Sequence, residues 1–277
     1  MGITGFTKYL RQKHSYVGKQ CQLDQSMKLL IDAKGEAMRI AYGTPVDDDV
    51  VTSTAKRLIY KYSKFKKITF VMDGDNVLHK EATQLCRHEH LSKITDTNNK
   101  RKREELPLTQ TDINRQRAVR CRINNHTARK ILAIVVAADP DIFDIVQCAG
   151  EADCTIAEMS KKYDVCISDD SDLLIYGVNN IYSARKKMIT SHAEVSQITG
   201  LSASQLKEFA FLVGCDYSNG IVGIGCVSAR KMLIEHGDID ILLSKFTPKQ
   251  MKTYKIDNIA DVKYQCQKIV AIFTLLK

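Results

Sequence analysis

Short runs of Ile, Val and Leu alternate along this chain with segments of helical period, and that alternation restricts the fold more than any other feature. Strands buried on both faces by crossover helices read as continuous apolar runs, so the pattern predicts an α/β protein with a parallel sheet. The expected strands are Met27 to Ile31, Ile68 to Met72, Ile142 to Val146, Asp164 to Ser168 and Asn180 to Ser183. Val46, Val50, Leu58 and Tyr62 mark the buried face of a helix over residues 46–63, and Ala152, Ile156 and Met159 that of a helix over 152–162. Beyond residue 200 the alternation gives way to helical periodicity, broken by the Gly-rich run 220–225.

With 277 residues, 44% of them hydrophobic, the chain can bury a core without disulfides or a structural metal. The nine cysteines are scattered and form no C-x-x-C pair, which argues against a disulfide framework and against tetrahedral zinc. Cys86, His88 and His90 form the nearest approach to a zinc cluster, and no second half of a ligand set follows. No apolar run is long enough to span a bilayer or serve as a leader, and Phe6 stands where a myristoylation signal wants Ser or Thr, so an intracellular protein without a membrane partner is expected. A formal net charge of +9 points to a polyanionic partner. The charge concentrates between Ser92 and Lys130, where eleven Lys and Arg face four acids around Lys100, Arg101, Lys102 and Arg103. That stretch reads as an insertion, either solvated or acting as a phosphate-binding arm.

Ligands of an open parallel sheet gather beyond the carboxyl ends of its strands. Asp32 and Asp73 end the first two expected strands, and Asp170 and Asp172 follow Val165-Cys-Ile-Ser. In extended chain a spacing of two would turn Asp170 and Asp172 to one side and Asp169 away. Glu151 and Asp153 open a helix, where capping is the plain alternative, and Asp216 precedes the Gly-rich break. Hard oxygen ligands in this number suit Mg²⁺ or Mn²⁺, two of which can activate water and stabilise the leaving oxygen of a phosphodiester.

The segments Met1-Gly-Ile-Thr-Gly-Phe, Ile31-Asp-Ala, Val71-Met-Asp-Gly, Gly150-Glu-Ala-Asp, Ser168-Asp-Asp-Ser-Asp-Leu-Leu and Gly214-Cys-Asp-Tyr resemble, in order, the motifs of the flap endonuclease (XPG-type) family. The resemblance spans about residues 1–240 and implies a PIN-like 5′-nuclease core flanked by helices. It implies that Asp32, Asp73, Glu151 and Asp153 hold one Mg²⁺ or its waters, and that Asp170, Asp172 and Asp216 hold the second. Lys80 and Arg87 match the family's basic pair, spaced two helical turns apart to offset charge on the scissile phosphate. The basic insertion corresponds to the helical arch, and Gly220 to Gly225 followed by Ser228-Ala-Arg-Lys to the helix-hairpin-helix that grips duplex backbone. Gly223, Gly225, Arg230 and Lys231 would then face phosphate, with Gly2 and Tyr42 as further DNA contacts.

On this reading one nuclease domain, 1–277, comprises N-terminal motifs (1–91), the arch (92–130), internal motifs (131–200), the helix-hairpin-helix (201–240) and C-terminal helices (241–277). The implied function is structure-specific hydrolysis of branched or nicked DNA by a monomer, at 5′ flaps endonucleolytically and at nicks exonucleolytically. Cleavage of RNA by the same chemistry, or nucleic-acid binding without catalysis, are the alternatives. Four positions depart from the family pattern: Asp153 replaces a common Glu, Cys215 a Ser near the family's K⁺ site, Cys226 a Pro, and Met38 a base-stacking Tyr, a role that Tyr42 could take. Gln267, Val270 and Phe273 match a sliding-clamp motif poorly, and residues 262–276 read instead as an amphipathic helix on the core. The run 100–103 and the chain length suggest a nuclear location or a viral replication site.

Overall fold

The computed structural model describes residues 2–14, 18–43, 49–74 and 123–274. In chain order its elements are α1 (Phe6–His14), β1 (Lys19–Gln20), β2 (Lys28–Asp32), α2 (Ala33–Tyr42), α3 (Val50–Tyr62), β3 (Lys67–Met72), α4 (Asn125–Ala138), β4 (Phe143–Gln147), α5 (Ala152–Met159), β5 (Val165–Ile167), α6 (Asp172–Ile175), β6 (Ile181–Ser183) and β7 (Met188–Thr190). These are followed by α7 (His192–Thr199), α8 (Ala203–Val213), α9 (Cys226–His236), α10 (Ile239–Ser244), α11 (Pro248–Tyr254) and α12 (Ile259–Ile272). The chain divides into two compact units, Asp24–Ala152 and Met1–Leu23 with Asp153–Lys277.

In the unit Asp24–Ala152, β2, β3 and β4 run parallel, with Asp32 opposite Val71 and Met72 opposite Gln147. The central strand β3 is buried from Ile68 through Met72, the burial that a parallel strand with helices on both faces requires. α2, α3 and α4 pack on one another and contribute Ala37, Leu58, Ile131 and Leu132 to the core beside Phe70 and Phe143. Asp49 starts α3 by accepting from the amides of Val51 and Thr52, which satisfies two of the helix's orphan donors. Leu58 and Tyr62 are buried as expected, Val50 is half-buried, and Val46 lies outside the described residues. α4 begins at Asn125, inside the stretch read as the basic insertion. Asn124 caps it through the Thr127 amide, and its buried Ala128 and Ile131 supply an apolar face that the surrounding charge obscured in the sequence.

In the other unit, β5 and β6 are parallel, β6 and β7 form an antiparallel hairpin, and β1 pairs antiparallel with β7. β1 and β7 are additions to the expected strands. Lys19–Gln20 carries no apolar pattern, and the pairing of Lys19 with Ile189 joins residues far apart in sequence. The helix expected over 152–162 is α-helical only to Met159, which is half-buried, and ends in a 3₁₀ turn at Ser160–Lys162. α1 lies on α8 through Phe6 and Tyr9 against Phe209, with ring centroids 5.4 and 6.3 Å apart. α12 packs against α8 and α10 and buries Cys266 and Ile269, so the expected C-terminal amphipathic helix docks on this unit's core. Among the described residues no helix is long and apolar enough to cross a membrane.

Glu208 on α8 accepts from the amide of Ile239 at 3.2 Å, at the start of α10. Burial, with Asp238 and Asp240 nearby, pushes its carboxyl up to about 7. The unfolded group ionises near pH ~4.3, so between that value and about pH 7 the folded state holds a proton that the unfolded state has lost. Stability conferred at this site therefore falls as pH rises through that window. Glu208→Gln is expected to flatten the decline in thermal midpoint between pH 5 and 8, and equal slopes in both proteins would contradict the assignment.

Candidate metal centre

The unit Asp24–Ala152 carries Asp32, Asp73 and Glu151 at the carboxyl ends of its strands and the loop beyond. Asp32 is both the last residue of β2 and the N-cap of α2, accepting from the Gly35 amide at 3.1 Å. Asp73 follows β3 directly. Its Oδ1 accepts from the amide of Ala152, the first residue of α5, at 3.0 Å, and its Oδ2 lies 3.7 Å from the Lys34 ammonium. Asp73 thus satisfies a helix-start donor from across the sheet, while Gly74 and Gly150 join the two loops by a 2.6 Å backbone bond. Glu151 immediately precedes α5 and is half-buried.

Lys34 escaped the sequence reading. Its ammonium is also bonded to Asn125 at 3.1 Å, placing one cation beside Asp73. A usable signal existed: a lysine in the first turn of a helix opposes the macrodipole and is tolerated where acids stand nearby.

The second unit carries Asp153, Asp170, Asp172 and Asp216. Asp153 is buried in the first turn of α5. Asp170 and Asp172 are not an extended pair. β5 ends at Ile167, the Ser168 hydroxyl accepts from the Asp170 amide, and Asp170 Oδ1 accepts from the amide of Asp172, which opens the short helix α6. The turn leaves Asp170 half-buried and encloses Asp172 completely, at 0% exposure. Asp169 does face elsewhere: it accepts from the Ser183 hydroxyl and pairs with Arg185 at 3.4 Å. Asp216 lies in a tight turn closed by two backbone bonds between Cys215 and Ser218. Asp172 and Asp216 both act on the Cys215 thiol, which burial first and these two charges with it push up to about 12, so the Cys at this family-variant position is a neutral thiol.

Residues 2–5 stitch this unit's acidic loops together. The Ile3 amide donates to Ser171 Oγ at 3.1 Å in a buried contact, and the Thr4 amide to the Gly214 carbonyl at 2.9 Å. Gly2 adopts φ +94°, and a Cβ there would come within 2.5 Å of Asp170 Oδ1 and closer still to Ser171 Oγ. Its backbone strain and the two collisions act together. Gly2→Ala is expected to destabilise by about 1–3 kcal/mol and to displace the Asp170 loop. Chemical denaturation checks the first and perturbed amide resonances at 168–172 the second; an unperturbed loop would contradict the close approach.

α8, the turn 214–225 and α9 follow one another over the stretch whose sequence resembles a helix-hairpin-helix. Gly220 has φ +73°, and a Cβ would lie 2.6 Å from the Val213 carbonyl carbon, so a glycine is required where the turn folds back on α8. Gly223 lies in the same turn, and Gly225 is the N-cap of α9 with no side-chain cap. Lys231 is exposed, whereas Arg230 donates its Nε to the carbonyl of Thr199 at 2.5 Å, at the C-terminus of α7. Cys226 Sγ contacts the Thr4 carbonyl at 3.4 Å. Tyr42, the last residue of α2, has 44% of its surface exposed, and Met38 is half-buried. Lys80, Arg87, Lys100 to Arg103, Cys86, His88 and His90 lie outside the described residues.

Among the described residues no three His, Cys, Asp or Glu side chains form a compact ion-binding group. The donor set itself fits a hard cation: it consists of carboxylates alone, and at the completely buried Asp172 a cation would offset the cost of ionisation.

The XPG I-region family model matches residues 143–216, the stretch from β4 through Asp216. The chain is 24% identical over 282 residues to Flap endonuclease 1 of Glossina morsitans morsitans, covering 90% of this chain and 70% of that one. It is 27% identical to Flap endonuclease 1 of Trypanosoma cruzi, over 88% of this chain and 67% of that one. Among solved structures, the catalytic core of Rad2 in complex with DNA substrate matches 99% of this chain and 80% of its own at a TM-score of 0.63 and 19% identity. A bacteriophage T5 D15 flap endonuclease in complex with DNA and metal ions covers 90% of each chain at a TM-score of 0.56 and 14% identity. These structures share the α/β PIN-like fold. Over most of its length the chain is similar to flap endonucleases, and over residues 143–216 it matches the XPG I-region.

Proposed function

We propose that residues 1–277 act as one structure-specific 5′ nuclease domain that hydrolyses DNA phosphodiester bonds near single-strand to double-strand junctions, at 5′ flaps or nicks. The observation that carries the reading is the placement of Asp32 at the end of a parallel strand and of Asp73 and Asp170 just beyond two others, each held by a backbone or helix-start hydrogen bond. Asp32, Asp73, Glu151 and Asp153 would hold one Mg²⁺ or its waters, and Asp170, Asp172 and Asp216 the other, with Mn²⁺ as a substitute. Bound there, two such ions supply an activated water and stabilise the leaving oxygen.

The chain's own groups do the remaining work. Lys34 offsets charge at Asp73, and Lys80 and Arg87 are proposed to pair with the scissile phosphate as charge builds on it. Residues 2–5 fix the Asp170 and Asp216 loops relative to each other. The arch cations 100–103 and the hairpin, through the backbone at Gly223 and Gly225 and the exposed Lys231, would hold strand and duplex phosphates. Because Arg230 closes the end of α7, its proposed phosphate contact would have to share the guanidinium with Thr199. Tyr42 offers an exposed ring on which a base could stack.

A cleavage time course on labelled 5′-flap DNA, a matched RNA flap and plain duplex, with Mg²⁺ and with chelator, tests the proposal. Metal-dependent cutting near the DNA junction is the expected result. Cutting of RNA alone would redirect the assignment to an endoribonuclease, and binding without cutting on every substrate would reduce it to a binding module.

A further inference from the structure

A cavity of about 60 Å³ opens between α1, the loop after β5 and the β6–β7 hairpin, all within one compact unit. At roughly 15 Å³ for each enclosed water it holds about four, the bulk of a tetrahedral oxyanion and too little for a base. Its lining includes Thr7, Arg11, Asp170, Ser183, Lys186 and Thr190. Leu10 and Leu174 also line it, forming an apolar wall beside the polar groups.

Two cations share this cavity at a cost. Partial burial, then the neighbouring Arg11, hold the Lys186 ammonium below the usual lysine range, with Asp169 pulling the other way. Asp169, which also lines the cavity, is itself occupied by the Ser183 hydroxyl and by Arg185. Among the described residues neither Arg11 nor Lys186 forms an ion pair within 4 Å, and both remain exposed to incoming ligand. An anion between them would relieve their repulsion and accept charge-assisted bonds from a guanidinium and an ammonium, with the threonine hydroxyls as further donors. Asp170 opposes an anion, but its Oδ1 is turned to the Asp172 amide.

We propose that Arg11 and Lys186 form a phosphate-binding site beside Asp170, taking a phosphoryl group either as a terminal monoester or as a backbone diester. The test uses the full chain in chelator, so its outcome does not depend on catalysis. Amide resonances of α1 and the hairpin are followed during titration with inorganic phosphate, with thymidine 5′-monophosphate, and with a dinucleoside monophosphate lacking a terminal phosphate. Saturable shifts are expected, weakened roughly ten- to a hundred-fold by Arg11→Ala and by Lys186→Ala, and largely kept by Arg11→Lys.

Response to the monoesters alone assigns the site to free or strand-terminal phosphate, and response to the dinucleoside assigns it to internal strand phosphate. Absence of saturable binding with all three probes, or binding unchanged in both alanine variants, overturns the proposal. Flap cutting measured in parallel separates the two readings: a chain that binds phosphate but never cuts DNA loses the proposed activity and keeps this site.

Discussion

Asp170→Ala is expected to lower flap cutting by about 10³-fold or more while changing duplex affinity by no more than about threefold. The asymmetry follows from what the side chain does. Its carboxylate is proposed to hold a metal ion, and among the described residues it accepts one hydrogen bond, from the Asp172 amide at 3.1 Å. The contacts that fix the surrounding loop come from elsewhere, from Ile3 to Ser171 and from Thr4 to Gly214. Removing the carboxylate therefore leaves the loop anchored, and it removes negative charge from a surface that must approach phosphate, which favours binding. Asp169→Ala is the matched control. That side chain serves Ser183 and Arg185, and its loss should cost at most about 1 kcal/mol of stability with cutting retained. Single-turnover cleavage and fluorescence anisotropy on the same flap measure both quantities. Equal cutting by the two variants would remove Asp170 from the metal centre.

The same loop marks where sequence reasoning stops. The apolar runs that became β2 and β3 were legible because strands buried on both faces need no alternation, and Asp32 and Asp73 at their ends were legible with them. The orientation of Asp170 and Asp172 was not. Extended chain would have pointed both one way, but the Ser168 hydroxyl takes the Asp170 amide, the strand stops at Ile167, and Asp172 enters a helix. A serine in a loop has several such partners, and only the tertiary setting selects one. Arg230 shows the same limit. Beside a Gly-rich turn it reads as a phosphate ligand, yet it closes the carbonyl end of α7, a contact 31 residues away in sequence. The β1–β7 pairing left no trace because a two-residue polar strand has no period to detect.

Glu36→Ala is expected to destabilise the protein by about 3–5 kcal/mol, the largest stability effect of a single side chain described above. Glu36 lies in the first turn of α2 at 5% exposure. It accepts from Arg39 Nε at 2.6 Å and Nη2 at 2.5 Å, from the Lys61 ammonium at 2.9 Å and from the Tyr62 hydroxyl at 2.5 Å. Burial alone would raise its pKa, but bonds and charge from Arg39 and Lys61 outweigh that and hold the carboxyl below the usual range. Alanine would leave two cations facing each other and a buried phenol without its acceptor, so the loss exceeds what the pair contributes over an apolar replacement. Tyr62→Phe alone should cost about 1–2 kcal/mol, and the double variant less than the sum, because both changes break the same bond.

The pH dependence has a definite sign. With the folded pKa depressed, the contribution of Glu36 is complete above the unfolded value near ~4.3 and is lost as pH falls through the folded one. Glu36→Gln keeps an acceptor but no titration, and its acid limb should be shallower than that of the unsubstituted protein. The cluster ties α2 to α3, and α2 is the helix that Asp32 caps, so affinity at the proposed metal site should weaken along with stability. Denaturant unfolding at pH 7 and pH 4 measures the effect, and a loss below about 1 kcal/mol at pH 7 would show that Arg39 and Lys61 find water as good a partner as Glu36.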